Sequence, residues 1–307
     1  MNSNNPDSQS DVWSDWLQHR RHADDPEYNQ VIREIIERYA ERVLDGARLA
    51  SGMTLADIGT GEGLIAFRAI DRIGPSLRVL LTDISNPMLR YAETVAIQRE
   101  IRHQCTFLQC AAENLKDIDD ASVDVVTTRA VLAYVLDKGA ALREFHRILK
   151  PGGRISIAEP IFQDEAYAAL ALKKLVDAQP PEYQDRFMSL LHRCKAAQFP
   201  DSEEKIAQSP IANYSERDLV RFVQGSGFTE VHMELHIDVA PSSVTSWDLF
   251  LGISPHPLAP SLKVILAEQF TFEERQFFEQ ILRPTVEAGQ SVSIDRIAYL
   301  TARKPLN

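Results

Sequence analysis

Between residues 24 and 49 the apolar positions Val31, Ile32, Ile35, Ile36, Tyr39, Val43 and Leu44 recur at helical spacing, with Asp25 and Pro26 as cap and first-turn pair. The pattern then changes to short units. Residues 53–58 read as a buried strand, 59–63 as a glycine turn and 64–73 as a helix closed by Gly74-Pro75. The unit repeats with a strand at 77–82, a helix opened by Ser85 and Pro87, and strands at 105–109 and 123–127. A helix over 137–149 stops at Lys150-Pro-Gly-Gly153, where proline and glycine cannot continue it, and 154–158 forms a fifth strand. Alternating strands and helices predict a parallel, doubly wound sheet.

The second half loses this rhythm. Residues 161–211 read as two or three amphipathic helices with no strand between them, hence an insertion. Ser215-Glu-Arg-Asp218 opens a helix to Gln224 with a capping box, Gly225-Ser-Gly227 ends it, and strands at 229–239 and 291–302 flank a second insertion over 241–290. The expected organisation is a helical lid segment (1–50), a ligand-binding core (51–160), a helical insertion (161–211), a core helix and strand (212–240), a second insertion (241–290) and a last strand (291–307).

Composition narrows the class. At 307 residues, 44% hydrophobic and 25% charged, the chain can bury a large core as one domain with a cap. Its polar opening, Met1 to Asp11, is expected to be disordered and lacks the basic and apolar regions of a secretory signal. No run approaches the ~20 apolar residues of a membrane span, so a cytoplasmic protein is expected. Cys105, Cys110 and Cys194 show no CxxC spacing and read as buried thiols. A net charge of −11 disfavours nucleic acid and favours a neutral or cationic small molecule.

The chemistry concentrates at Asp57-Ile-Gly-Thr-Gly-Glu-Gly63, where a strand meets a helix and ligands bind beyond the carboxyl ends of parallel strands. Glycines there admit a ligand close to the backbone, and the helix N-terminus favours an anionic group such as an amino-acid carboxylate. Asp83, about 20 residues on, ends the second strand, where a carboxylate accepts hydrogen bonds from both ribose hydroxyls of an adenosine. Either feature alone has a plain structural reading, as a tight turn or a helix cap. Together they favour an adenosine site.

From Thr54 to Pro160 the chain resembles the class I S-adenosylmethionine-dependent methyltransferases, especially those of quinone biosynthesis and natural-product pathways. The likeness runs through Leu55-Ala-Asp-Ile-Gly-Thr-Gly-Glu-Gly63, Thr82-Asp-Ile-Ser85, Ala112-Glu-Asn-Leu115, Val123-Asp-Val-Val126 and Leu149-Lys-Pro-Gly-Gly153. It implies a Rossmann-like, mostly parallel seven-stranded sheet with helical lid insertions. It also implies S-adenosyl-L-methionine as donor to a small-molecule acceptor whose oxygen, nitrogen, sulfur or carbon is methylated. By the same resemblance Asp57, Gly59, Thr60 and Gly61 surround the methionine moiety, Asp83 meets the ribose, and Ile84 and Met88 sandwich the adenine. The backbone near Arg129 then meets the ligand's amino group. The family commonly carries Gly-Asp-Ala after its third strand, where this chain has Cys110-Ala-Ala112, so adenine reading falls to the backbone at Ala112 and Glu113.

Methyl transfer from a sulfonium requires alignment, with a base only for a hydroxyl or protonated amine acceptor. Tyr134, where relatives often carry histidine, and His22 are the catalytic candidates; each has a structural alternative as a core side chain. Trp13, Trp16, Tyr214 and Trp247 are the candidates for touching substrate. His146, His232 and His236 read as solvated structural residues. No Cys/His/carboxylate cluster stands at ligand spacing, so no metal is expected. The apolar groups Trp13/Trp16/Leu17, Phe187/Leu190/Leu191 and Trp247/Leu249/Phe250/Leu251 are expected to form a lid; otherwise they pack on one another or form a homodimer interface. Two rival functions remain: a nicotinamide dehydrogenase, which needs a third glycine where Leu64 stands, and a donor-binding protein that transfers nothing.

Overall fold

The computed structural model describes residues 10–183 and 185–306; most of the opening expected to be disordered, residues 1–9, lies outside them. Seven strands form one sheet: β1 (Thr54–Ile58), β2 (Arg78–Asp83), β3 (Cys105–Gln109), β4 (Val123–Arg129), β5 (Leu149–Pro160), β6 (Thr229–Pro241) and β7 (Val292–Arg303). Their order is β3-β2-β1-β4-β5-β7-β6. The first five run parallel, whereas β7 lies antiparallel between β5 and β6. The order reverses at β1 and β4, and a doubly wound sheet opens its ligand crevice at the carboxyl ends there. Asp57, Asp83 and Arg129 all stand at those ends.

Helices cover both faces because the parallel strands are buried on both sides. One face packs Phe145 and Leu142 of α5 (Lys138–Ile148) and Leu219 and Val223 of α9 (Glu216–Gly225) against β4 and β5. The other packs α2 (Pro26–Ala47), α3 (Leu64–Ile73) and α4 (Asn86–Gln98) through Val43, Leu44, Phe67, Ile70 and Ala92. Helix α2 begins as its sequence predicts, with Asp25 accepting from the Tyr28 N–H and Pro26 in the first turn.

Lys150-Pro-Gly-Gly153 is part of β5 rather than a break before it. The ladder shifts register between Val123 and Val125, and the strand absorbs the extra residues as a bulge. Residues 161–211 hold α6 (Gln163–Asp177), α7 (Arg186–Gln198) and α8 (Glu203–Gln208), and 241–290 hold α10 (Trp247–Gly252), α11 (Leu262–Gln269) and α12 (Phe272–Glu287). Leu190 and Cys194 of α7 share a buried cluster with Leu262, Ile265, Leu266, Phe270 and Phe278, so the two insertions pack on each other. Among the described residues no helix is long and apolar enough to cross a membrane.

Candidate active site

The glycine loop after β1 is held from below by buried polar contacts. Asp57 is 2% exposed, and its two carboxylate oxygens accept from the hydroxyls of Thr60 (2.7 Å) and Thr127 (2.9 Å). Burial outweighs these bonds and pushes Asp57 up to about 6. Gly59 has φ +64°, and a Cβ there would lie 2.4 Å from Cγ2 of Val131, so only glycine lets the loop meet the segment after β4. Asp57 therefore braces the loop.

Asp83 joins the loop to β2. Its Oδ2 accepts from the Gly61 N–H and its Oδ1 from the Ser85 N–H, both at 2.8 Å. Each carboxylate oxygen has two lone pairs, so one on each remains for a ligand. Burial raises its pKa despite these bonds, and Asp11, capping the lid helix α1 (Val12–Asp15), adds to the rise.

These residues line a cavity of about 210 Å³. Its floor includes Asp57, Gly59, Thr60, Gly61, Asp83, Ile84, Ala112, Glu113 and Arg129, and Tyr134 forms part of its wall. The roof is Trp13, Trp16, Leu17 and Arg21, from α1 and the π-helical turn Trp16–Arg20. Sequence spacing grouped the two tryptophans with Leu17, and they do converge there. Tyr134 meets Trp13 edge-on at 5.2 Å between ring centroids. Its hydroxyl has no hydrogen-bond partner among the described residues, and burial raises it above the ordinary phenol range, so the phenol keeps its proton at neutral pH. The roof is anchored to the second insertion: Trp16 Nε1 donates to the Ser254 carbonyl at 3.0 Å, and Arg20 donates to the carbonyls of Pro257 (2.9 Å) and Ala259 (3.0 Å).

Four candidates stand elsewhere. Met88, in the first turn of α4, is fully buried and does not line the cavity, whereas Ile84, 55% exposed, does. Tyr214 is also fully buried, its hydroxyl donating to the Pro160 carbonyl at 2.6 Å. Trp247 stacks on Phe250 within the second insertion. His22 is buried in the turn between the π-helical segment and α2, with Nδ1 unpartnered, and does not line the cavity. Sequence spacing placed these side chains near the right elements but could not give their facing. Among the described residues the first insertion contributes no cavity wall and the second only Pro257, because their apolar faces are satisfied by each other. Cys110, read as a buried thiol, is half-buried in the cavity wall.

Sequence reasoning missed Glu159, at the end of β5. It is fully buried and accepts from Thr128 Oγ1 (2.9 Å), the Val131 N–H (3.1 Å to Oε2) and the Ala133 N–H (3.0 Å). It thereby fixes the segment that contacts Gly59 and carries Tyr134. The signal was present: a carboxylate ending an otherwise apolar strand is costly unless it is satisfied. Arg21 was missed as well.

Among the described residues no group of three or more His, Cys, Asp or Glu side chains is placed to hold a metal ion. Turnover should accordingly survive EDTA, and loss of activity with rescue by magnesium would refute that expectation.

Comparison with known proteins settles the family. The family described as "Methyltransferase domain" matches residues 49–209. Nocamycin O-methyltransferase of Saccharothrix syringae is 30% identical over 288 residues, covering 90% of this chain and 94% of that one. The chain belongs to the methyltransferase-domain family. By family it is a methyltransferase of the S-adenosylmethionine-dependent kind, not a nicotinamide dehydrogenase. The ubiquinone/menaquinone biosynthesis C-methyltransferase UbiE of Idiomarina loihiensis is 35% identical over 128 residues, covering 42% of this chain and 49% of its own length. The [4+2]-cyclase SpnF has the same fold, with a TM-score of 0.50 at 18% identity, covering 89% of this chain and 83% of that one.

Proposed function

We propose that the cavity binds S-adenosyl-L-methionine and that its methyl group passes to an oxygen of a small, largely apolar acceptor under the Trp13–Trp16–Leu17 roof. The carrying observation is Asp83, which holds the glycine loop, lines the cavity and has one accepting position left on each carboxylate oxygen, as many as two vicinal ribose hydroxyls need. Ile84 offers the adenine an apolar face. With Ala111 and Ala112 after β3, adenine is read by backbone groups at Ala112 and Glu113. When bound, the donor supplies a sulfonium-activated methyl group.

The chain's own part is alignment and exclusion of water. Tyr134 donates a hydrogen bond to the acceptor, and the indoles of Trp13 and Trp16 cover it. Oxygen is favoured as the acceptor atom because the relative aligned over nearly the whole chain is named an O-methyltransferase. Its name also favours a natural-product acceptor, whereas the likeness to the quinone-pathway C-methyltransferase covers less than half of this chain.

Replacing Asp83 by Ala should weaken S-adenosylmethionine binding by about 1.5–3 kcal/mol in calorimetry, the usual worth of a hydrogen bond involving a charged group. Unchanged affinity would remove Asp83 from the site. Incubating the protein with methyl-labelled donor and a pool of small metabolites then tests transfer. Label that never leaves the donor, despite tight binding, would make this a donor-binding protein that does not methylate.

A further inference from the structure

Two guanidinium groups line the cavity without anionic partners of their own. Arg21, 8% exposed, lies 5.8 Å above the Trp16 ring, and its Nε is buried with no hydrogen-bond partner. Arg129 ends β4 on the same cavity, and neither side chain makes an ion pair or hydrogen bond among the described residues. Burial pushes Arg21 down to about 10, and Arg129 lowers it further. Burial lowers Arg129 as well. The opposing charge that acts most on both is Glu62, with Asp57 and Glu159 also acting on Arg129, yet none of these carboxylates pairs with either guanidinium, whose donors stay free on the cavity. A buried guanidinium whose donors are unpaired is costly until an acceptor reaches it, and planar guanidinium forks match the geometry of a carboxylate.

The glycine loop is poorly placed to do this instead. The N–H groups of Thr60, Gly61 and Gly63 are already given to the Thr82 carbonyl, to Asp83 and to the Thr60 carbonyl.

We propose that Arg21 and Arg129 together seat the carboxylate of a bound ligand, so that a residue of the roof, and not the glycine loop, reads the ligand's anionic group. The inference rests on the donor-binding reading above where the carboxylate is that of the donor's methionine moiety; a carboxylate on the acceptor satisfies the same geometry. Because Arg21 follows the π-helical turn directly, occupation of this site would also hold the roof shut.

Titration of the full chain with S-adenosylhomocysteine and with 5′-methylthioadenosine, which lacks the amino-acid portion, separates the two sources. If the donor supplies the carboxylate, Arg21→Gln should weaken S-adenosylhomocysteine about 10- to 100-fold, leave 5′-methylthioadenosine unchanged, and be partly rescued in Arg21→Lys. If the acceptor supplies it, S-adenosylhomocysteine affinity should not move. Saturated wild-type protein should then prefer benzoate to benzamide about tenfold, a preference lost in Arg21→Gln. Thermal unfolding of each variant checks that the fold is retained. Affinities for both S-adenosylhomocysteine and benzoate that are indifferent to Arg21→Gln would overturn the proposal. Failure of wild-type protein to bind either nucleoside would instead sink the donor-binding reading, and Arg21-dependent benzoate binding would survive it.

Discussion

Deletion of residues 1–21 should abolish methyl transfer, by roughly 100-fold or more, while the sheet stays folded and 5′-methylthioadenosine still binds. The deletion takes away Trp13, Trp16, Leu17 and Arg21, the whole of the roof, and nothing from the floor. Leu17 lies over the glycine loop, its Cδ1 3.6 Å from where a Cβ on Gly61 would stand, so its loss opens the loop to water. Water admitted there screens the reacting charges and lets the acceptor drift from line. Circular dichroism and thermal unfolding would report the fold, and labelled donor the transfer. A truncated protein that turns over normally would remove the roof from the mechanism. Trp16→Ala tests the same idea more finely, since it breaks the anchor to the Ser254 carbonyl and should lower turnover by less than the deletion. With S-adenosylhomocysteine bound, the segment around residues 12–21 should resist protease; equal cleavage with and without it would mark a rigid structural element.

Glu159→Ala should cost about 3–5 kcal/mol of stability, the range for removing one partner from a buried charged network. The substitution strands the Val131 and Ala133 N–H groups and the Thr128 hydroxyl in the interior, and each pays its own desolvation. Glu159→Gln keeps an accepting oxygen and should cost less. Denaturant melts of the three proteins measure the difference, and a loss under about 1 kcal/mol in the alanine variant would mean that Glu159 does not hold the segment. The pH dependence has a definite sign. Burial raises Glu159, so between the ordinary glutamate value of about 4.3 and its folded value the native state keeps a proton that the unfolded chain has released. Its contribution to stability is greatest below that window, falls as pH rises through it and is constant above. Glu159→Gln has nothing to ionise, so the wild type's advantage over it should shrink across the same window.

Much of this molecule follows from local sequence. The change from helical period to short apolar runs, the caps at Asp25 and Ser215 and the glycine turn at 59–63 depend on interactions between residues a few positions apart, and these set the doubly wound order. Asp57, Asp83 and Arg129 were legible for the same reason: they end strands, and parallel strands bring their carboxyl ends to one edge. The facing of a buried side chain was not legible, because it is decided by partners far away in the chain. Tyr214 is committed to the Pro160 carbonyl and Met88 to the core, although both stood at plausible distances from the loop. The first insertion reads as amphipathic helices in sequence, yet an apolar face carries no address, and α7 packs on α11 and α12 instead of the cavity. Glu159 and Arg21 show the same limit in charged residues. The carboxylate ending an apolar strand stands out in sequence but its donors do not, and the arginine looks ordinary. Only the packed structure, by removing water from both, gave one its three donors and left the other with a buried, unpartnered Nε.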